Sequence, residues 1–187
     1  LELTIYPTSA GNIPILIVRN RDDFVALVQA LVRRNEPVPI PSAIGACMIT
    51  GYNNWDRIFQ LKKEWEQTNK NWGQASWSHA FQAIKRDKSL YQDRFIILSD
   101  GPYSGVQAEK LNLTESDWRE LSIIIRREHE TTHYFTQRVL GSMRNNIFDE
   151  LIADYIGIIH AFGQYDAALF LRFIGLENFP NCRTDGR

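Results

Sequence analysis

The stretch RREHETTHYF, Arg126 to Phe135, sets two arginines, two glutamates and two histidines within ten residues. It falls in the middle of what the spacing of apolar residues reads as one long helix. A helix packed into a small domain seldom fills its central turns this way. Within the stretch, His129-Glu130-Thr131-Thr132-His133 is an HExxH sequence. At about 100° per residue, positions i and i+4 return to one face, one turn apart. Two imidazoles so placed can bind a single metal ion together. Glu130 leaves the helix in a neighbouring direction, from which it can reach a water on the metal without being a ligand. That arrangement suits a general base acting beside zinc.

Outward from this helix the chain changes character on either side. Thr114, followed three residues later by Asp117, reads as an N-cap for a helix from about Glu115, and Gly141 reads as its stop. A second helix is expected from about Ile147 to Phe162, carrying Leu151, Ile152, Tyr155, Ile156 and Ile159, and a third from about Asp166 to Phe173. The N-terminal half mixes strands with helices. Short strands are expected at Leu3–Tyr6 and Pro14–Val18, around the turn-like PTSAGN, and at Gly45–Thr50 and Phe95–Leu98. Helical spacing follows Asp22 and Asp23 in Phe24, Leu27, Val28, Leu31 and Val32, and PVPIPS ends it. Further helices are read at Trp55–Thr68 and Trp77–Lys85. The sum is an α+β chain forming one domain over residues 1–187, with strands and helices in 1–113 and a helical part in 114–187.

Zinc sites for hydrolysis commonly combine three protein ligands with one open position. Beyond the two histidines, the next helix offers Asp149, Glu150, Asp154 and His160. Here the chain resembles the gluzincins, HExxH metallopeptidases whose third ligand is a Glu preceded by Asn or Asp and followed four residues later by Asp. DELIAD, Asp149 to Asp154, matches that pattern. The resemblance covers about Ile123 to Ile159. It implies Glu150 as the third zinc ligand. It also implies Asp154 as the acceptor for the far nitrogen of a ligand histidine, His129 by preference. Sixteen residues separate His133 from Glu150, slightly fewer than in the gluzincins. The span closes nonetheless: the first helix travels about 10 Å from His133 to Leu140, and the six residues GSMRNN reach up to about 20 Å.

The same resemblance implies a zincin-like fold, a small mixed sheet packed on the HExxH helix. A strand near 95–98 would form the sheet edge that lines the cleft and takes an extended peptide by β-addition. Oxyanion support would come from a Tyr or His opposite the metal, for which Tyr103, Tyr155, His160 and Tyr165 all qualify. Other metal arrangements fit less well. A metzincin would continue with Gly and His where Thr136 and Val139 stand. A di-iron carboxylate bundle needs a second ExxH, and Ala153 occupies its place.

Composition narrows the classes. The 187 residues are 44 % hydrophobic and carry a formal net charge of −1. The basic clusters VRR, LKK and IKRDK are interleaved with acids, so they read as solvated helix faces and not as a nucleic-acid surface. No apolar run approaches the length of a membrane span, and no signal peptide is visible. The start at Leu1 and the ending NCRTDGR suggest a piece of a longer protein. Two distant cysteines make neither a metal motif nor a disulfide scaffold, which suits a reduced, cytoplasmic protein. Cys47 reads as buried and inert, and Trp55, Trp65, Trp72 and Trp77 as core anchors. The expectation is a zinc metallopeptidase holding one ion and cleaving a peptide or protein substrate. The alternative is an inactive zincin-like domain that keeps structural zinc and serves as a binding module. Oligomeric state is left open.

Overall fold

The computed structural model describes residues 1–70, 74–141 and 146–183. The chain opens on a hairpin, β1 (Glu2–Thr8) and β2 (Gly11–Val18), paired antiparallel from Glu2↔Ile17 to Thr8↔Gly11. Its tight turn needs Gly11 at φ +108°, a backbone region that L side chains avoid. The Thr8 hydroxyl accepts from the Ala10 amide and donates to the Gly11 carbonyl. Helix α1 (Arg21–Val32) follows, capped by the Asn20 side chain on the amides of Asp22 and Asp23. Then come β3 (Ala46–Asn53), α2 (Trp55–Thr68), α3 (Gln74–Ile84) and β4 (Gln92–Ser99). The C-terminal part is α4 (Glu115–Val139), α5 (Asn146–Phe162) and α6 (Ala167–Phe173). The α+β composition is as expected from the sequence. Among the described residues no helix is long and apolar enough to cross a membrane.

The four-stranded sheet has the order β1-β2-β4-β3, with β2 and β4 parallel in the register Ile15↔Ile96 to Val18↔Ser99. The strand expected at a sheet edge, 95–98, is therefore internal; the edges are β1 and β3. Its side chains give the physical reason. Ile96, Ile97 and Leu98 are all fully buried, the continuous apolar run of a strand covered on both faces and not the alternation of a half-solvated edge.

The chain divides into two compact units, Leu1–Met48 with Phe95–Arg187, and Ile49–Arg94. In the first, Ile13, Ile15, Ile96 and Leu98 on one sheet face pack with Tyr134 of α4. A second cluster surrounds Trp118, also of α4, and joins it to Ile125, Ile158, Leu169 and Phe173. Trp118 stacks on Phe173 with ring centroids 6.0 Å apart, and its indole N–H donates to the Val106 carbonyl at 2.6 Å. Helix α4 begins as the sequence reads, with the Thr114 hydroxyl accepting from the Asp117 amide. Glu115 and Asp117 in the first turn complement the helix dipole. Past its C-terminus Gly141 takes φ +73°.

Helix α5 runs back along α4, and Gly157 permits the close approach. A Cβ there would lie 2.9 Å from the Ile125 carbonyl oxygen and 3.1 Å from its Cγ2. In the second unit, Trp65, Trp77, Phe81 and Tyr91 form a ladder of rings with successive centroids 5.8, 5.7 and 6.5 Å apart. Trp55, expected in the core, is 60 % exposed and lies beside Phe59 on the outer side of α2. As the first residue of that helix it sits at an end, where the inward face is not yet established. Trp72 and most of the GSMRNN connection fall outside the described residues.

Candidate metal centre

Helix α4 places both histidines on its buried side, where the wall of α5 closes over them. The Nε2 atoms of His129 and His133 lie 2.8 Å apart. From α5, Glu150 brings Oε2 to 3.4 Å from His129 Nε2 and Oε1 to 3.4 Å from His133 Nε2. Among the described residues this trio can hold a metal ion. Zinc–ligand bonds of about 2.0–2.1 Å in tetrahedral geometry set neighbouring ligand atoms about 3.3 Å apart. The two 3.4 Å separations to Glu150 match that spacing, and the 2.8 Å between the Nε2 atoms is about 0.5 Å shorter than it.

The far sides of both rings are fixed as well. His133 Nδ1 lies 2.8 Å from Asp149 Oδ2, and His129 Nδ1 lies 3.0 Å from Asp154 Oδ1. A carboxylate there accepts, so each Nδ1 carries its proton and each Nε2 presents a lone pair. Two lone pairs and a carboxylate thus converge on one point, an arrangement that repels itself unless a cation sits among them. In the metal-free chain a proton can serve. Burial by itself would lower the His133 pKa. The hydrogen bond to Glu150, the charges of Glu130 and Glu150 and the hydrogen bond to Asp149 outweigh it and raise it to about 9. The same carboxylates that attract a proton attract a metal cation. The donor set fits zinc.

Asp154 is held in turn. The Tyr103 hydroxyl donates to its Oδ1 at 3.1 Å, and the Tyr103 amide donates to the Ser122 hydroxyl at 3.0 Å. The loop leading to Tyr103 is clipped by Arg126, whose guanidinium donates to the carbonyls of Ser99, Gly101 and Pro102. Gly45 makes room for that guanidinium; a Cβ would fall 2.3 Å from Arg126 Nε. One turn of α4 before the first ligand, Arg126 thus supports the loop that supports Asp154.

The remaining expected site residues are dispersed. Glu130 is partly buried, and its charge bears on His133 and on Cys47. Burial first, then Glu130, pushes the Cys47 thiol up to about 11, against an opposing pull from Arg33, so it stays protonated and unreactive. Tyr103 is buried on the Nδ1 side of His129, away from the converging Nε2 atoms. His160 lies off the trio, 3.7 Å from Glu128 Oε2, with its side chain 53 % exposed. Tyr155 and Tyr165 pair with centroids 5.1 Å apart. Burial and then the charge of Asp154 raise the pKa of the Tyr165 hydroxyl. Asp149 and Asp154, weighed as ligands from sequence, both orient histidines. Sequence reading missed that Asp149 steadies His133, although its position directly before Glu150 is the clue. It also missed Tyr6 and Arg127, which donate to Glu128 Oε1 at 2.7 and 2.9 Å.

Fold and site define an α+β protein whose central helix shares a His, His, Glu donor set with the helix packed against it. The chain belongs to the Family of unknown function (DUF7005), matched over residues 1–187. No curated protein and no solved structure matches it.

Proposed function

We propose that this protein is a zinc-dependent hydrolase of peptide bonds, with His129, His133 and Glu150 holding one ion. The observation that carries the reading is the convergence of two imidazole Nε2 atoms and one carboxylate around a single point, with a glutamate directly after the first histidine. When bound, zinc lowers the pKa of a water to about 7 and polarises a carbonyl. Glu130 takes a proton from the water attacking the peptide carbonyl and delivers it to the leaving amine. Asp149 and Asp154 keep both histidines in the Nδ1–H tautomer throughout. The Glu150 side chain is 49 % exposed while the histidines are nearly covered. This supports a centre open on one side to water and substrate over a closed structural site, which is what a retired binding module would retain.

The test is elemental analysis of the purified protein beside His133→Ala and Glu130→Gln, followed by a peptide-library assay. One zinc per chain is expected in the wild type and in Glu130→Gln, with loss from His133→Ala. Glu130→Gln should abolish cleavage. Full zinc in His133→Ala overturns the ligand assignment, and undiminished cleavage by Glu130→Gln overturns the mechanism. Zinc without cleavage of any peptide in the wild type favours the binding module.

A further inference from the structure

Beyond the carboxyl ends of the two parallel strands, where β2 passes into Arg19 and β4 into Asp100, lies a cavity of about 420 Å³. Its lining carries four arginines, Arg19, Arg21, Arg119 and Arg126, and a single carboxylate, Asp100. Glu2, outside the lining, reaches Arg19 at 3.3 Å. Four positive charges against two negative leave +2. Gathering cations around a concavity is costly, because they repel one another and lose hydration.

The four arginines divide by duty. Arg21 donates to the carbonyls of Ile40, Pro41 and Ile44, and Arg126 to those of Ser99, Gly101 and Pro102. These bonds hold the walls of the cavity but neutralise no charge. Arg126 is 3 % exposed, and burial pushes its pKa down to about 10, as befits a buried cation short of counter-charge. Arg19 and Arg119 behave differently. Both side chains are more than half exposed, and they approach the same Asp100 oxygen at 3.9 and 3.6 Å, too far for hydrogen bonds. One carboxylate is shared between two guanidiniums that together offer about ten N–H donors. Donors remain for another acceptor.

An arginine fork matches the oxygens of a phosphate or carboxylate two at a time. A field of +2 favours the doubly charged phosphate over a single carboxylate. The hydroxyl-bearing Ser42 and Ser99 also line the cavity. The volume exceeds what a phosphate group alone fills and suits a small molecule attached to it. Sheets with parallel strands commonly take their ligands beyond the strands' carboxyl ends, which is where this cavity lies. We propose that the cavity binds the phosphate group of a small phosphorylated molecule, gripped by Arg19 and Arg119 between walls set by Arg21 and Arg126.

The experiment is calorimetric titration of the full chain with inorganic phosphate and with pyrophosphate, at constant ionic strength in chloride, with succinate as the carboxylate arm. Phosphate or pyrophosphate should bind, and Arg119→Ala should weaken binding by about tenfold or more. Arg19→Ala, on a different element, should do the same; both side chains are exposed, and circular dichroism checks that the variants fold. Three results overturn the proposal. The first is no binding of either anion up to about 10 mM, a Kd weaker than specific recognition requires. The second is succinate binding at least as tightly as phosphate. The third is binding unchanged in both variants, as phosphate held on a metal at His129 and His133 would give.

Discussion

On the proposed ligand set, protons and metal compete for the same lone pair on His133, and the competition has a calculable size. In the metal-free protein this histidine titrates near 9, because Glu150, Glu130 and Asp149 outweigh its burial. A ligand imidazole must be neutral, so each ion that binds at pH 7 must expel the proton from His133. Two pH units below its pKa, the neutral form is about one part in a hundred, which costs metal binding about 2.7 kcal/mol relative to high pH. Apparent zinc affinity should therefore rise about tenfold from pH 7 to pH 8 and level off above about 9. The stability of the metal-free protein runs the other way. The folded pKa of about 9 exceeds the unfolded value of about 6.5. The contribution, about 3 kcal/mol, is therefore full below about 6.5 and lost as pH rises through 9. Calorimetry of zinc binding at pH 7 in buffers of different ionisation enthalpy counts the protons released, and denaturant melts of chelated protein follow the stability. Close to one proton from His133 per zinc is expected. No release at pH 7, with affinity flat between pH 7 and 8, would refute the arrangement of donors described above.

Two further predictions concern what holds those donors in place. Gly157→Ala should gain about 1 kcal/mol of helix propensity yet lose about 1–3 kcal/mol to overpacking against the Ile125 carbonyl; a denaturant melt showing a more stable protein would mean that α4 and α5 are not in close contact there. Asp154→Ala should weaken zinc about 10- to 100-fold in competition with a chromophoric chelator, and Tyr103→Phe, which removes the bond to Asp154, should weaken it less. A larger loss in Tyr103→Phe would place the hydroxyl nearer the metal than its bond to Asp154 implies.

Much of the fold is legible from local pattern. Thr114 and Gly141 bracket α4 correctly because a cap and a left-handed stop are made by neighbouring residues. Helical periodicity likewise locates α2, α5 and α6. What is not legible is pairing across long separations. β2 and β4 lie side by side with α1, β3, α2 and α3 between them in sequence, and no local feature of Phe95–Leu98 says that it has a partner on each side. The trio of His129, His133 and Glu150 is legible because one spacing of four and one short acidic pattern encode it on two consecutive helices. Tyr103 and Gly45 are not, since their roles depend on where a loop and Arg126 come to rest. The arginine cavity is less legible still: its four cations come from positions 19, 21, 119 and 126, joined only by strand pairing and the run of α4.

The geometry of the centre also says where its cost is met. Two imidazole Nε2 atoms 2.8 Å apart and carboxylate oxygens 3.4 Å from each would repel one another without a cation, and near neutral pH the proton on His133 relieves that repulsion. They stay together because the helices beneath them cannot separate. Trp118, Ile125, Ile158 and Phe173 are fully or almost fully buried between the helices, and the missing side chain of Gly157 lets α5 seat directly on the Ile125 backbone. Burial of large apolar side chains contributes about 1.5–3 kcal/mol each, enough to hold the three groups this close together. Arg126 and Tyr103 add direction to that force, carrying the position of the loop after β4 through Asp154 to the ring of His129. A cation entering the centre then does not have to gather its ligands. On the proposed ligand set it would displace the proton from His133, and its binding energy, less that cost, would appear as added stability of the whole first unit.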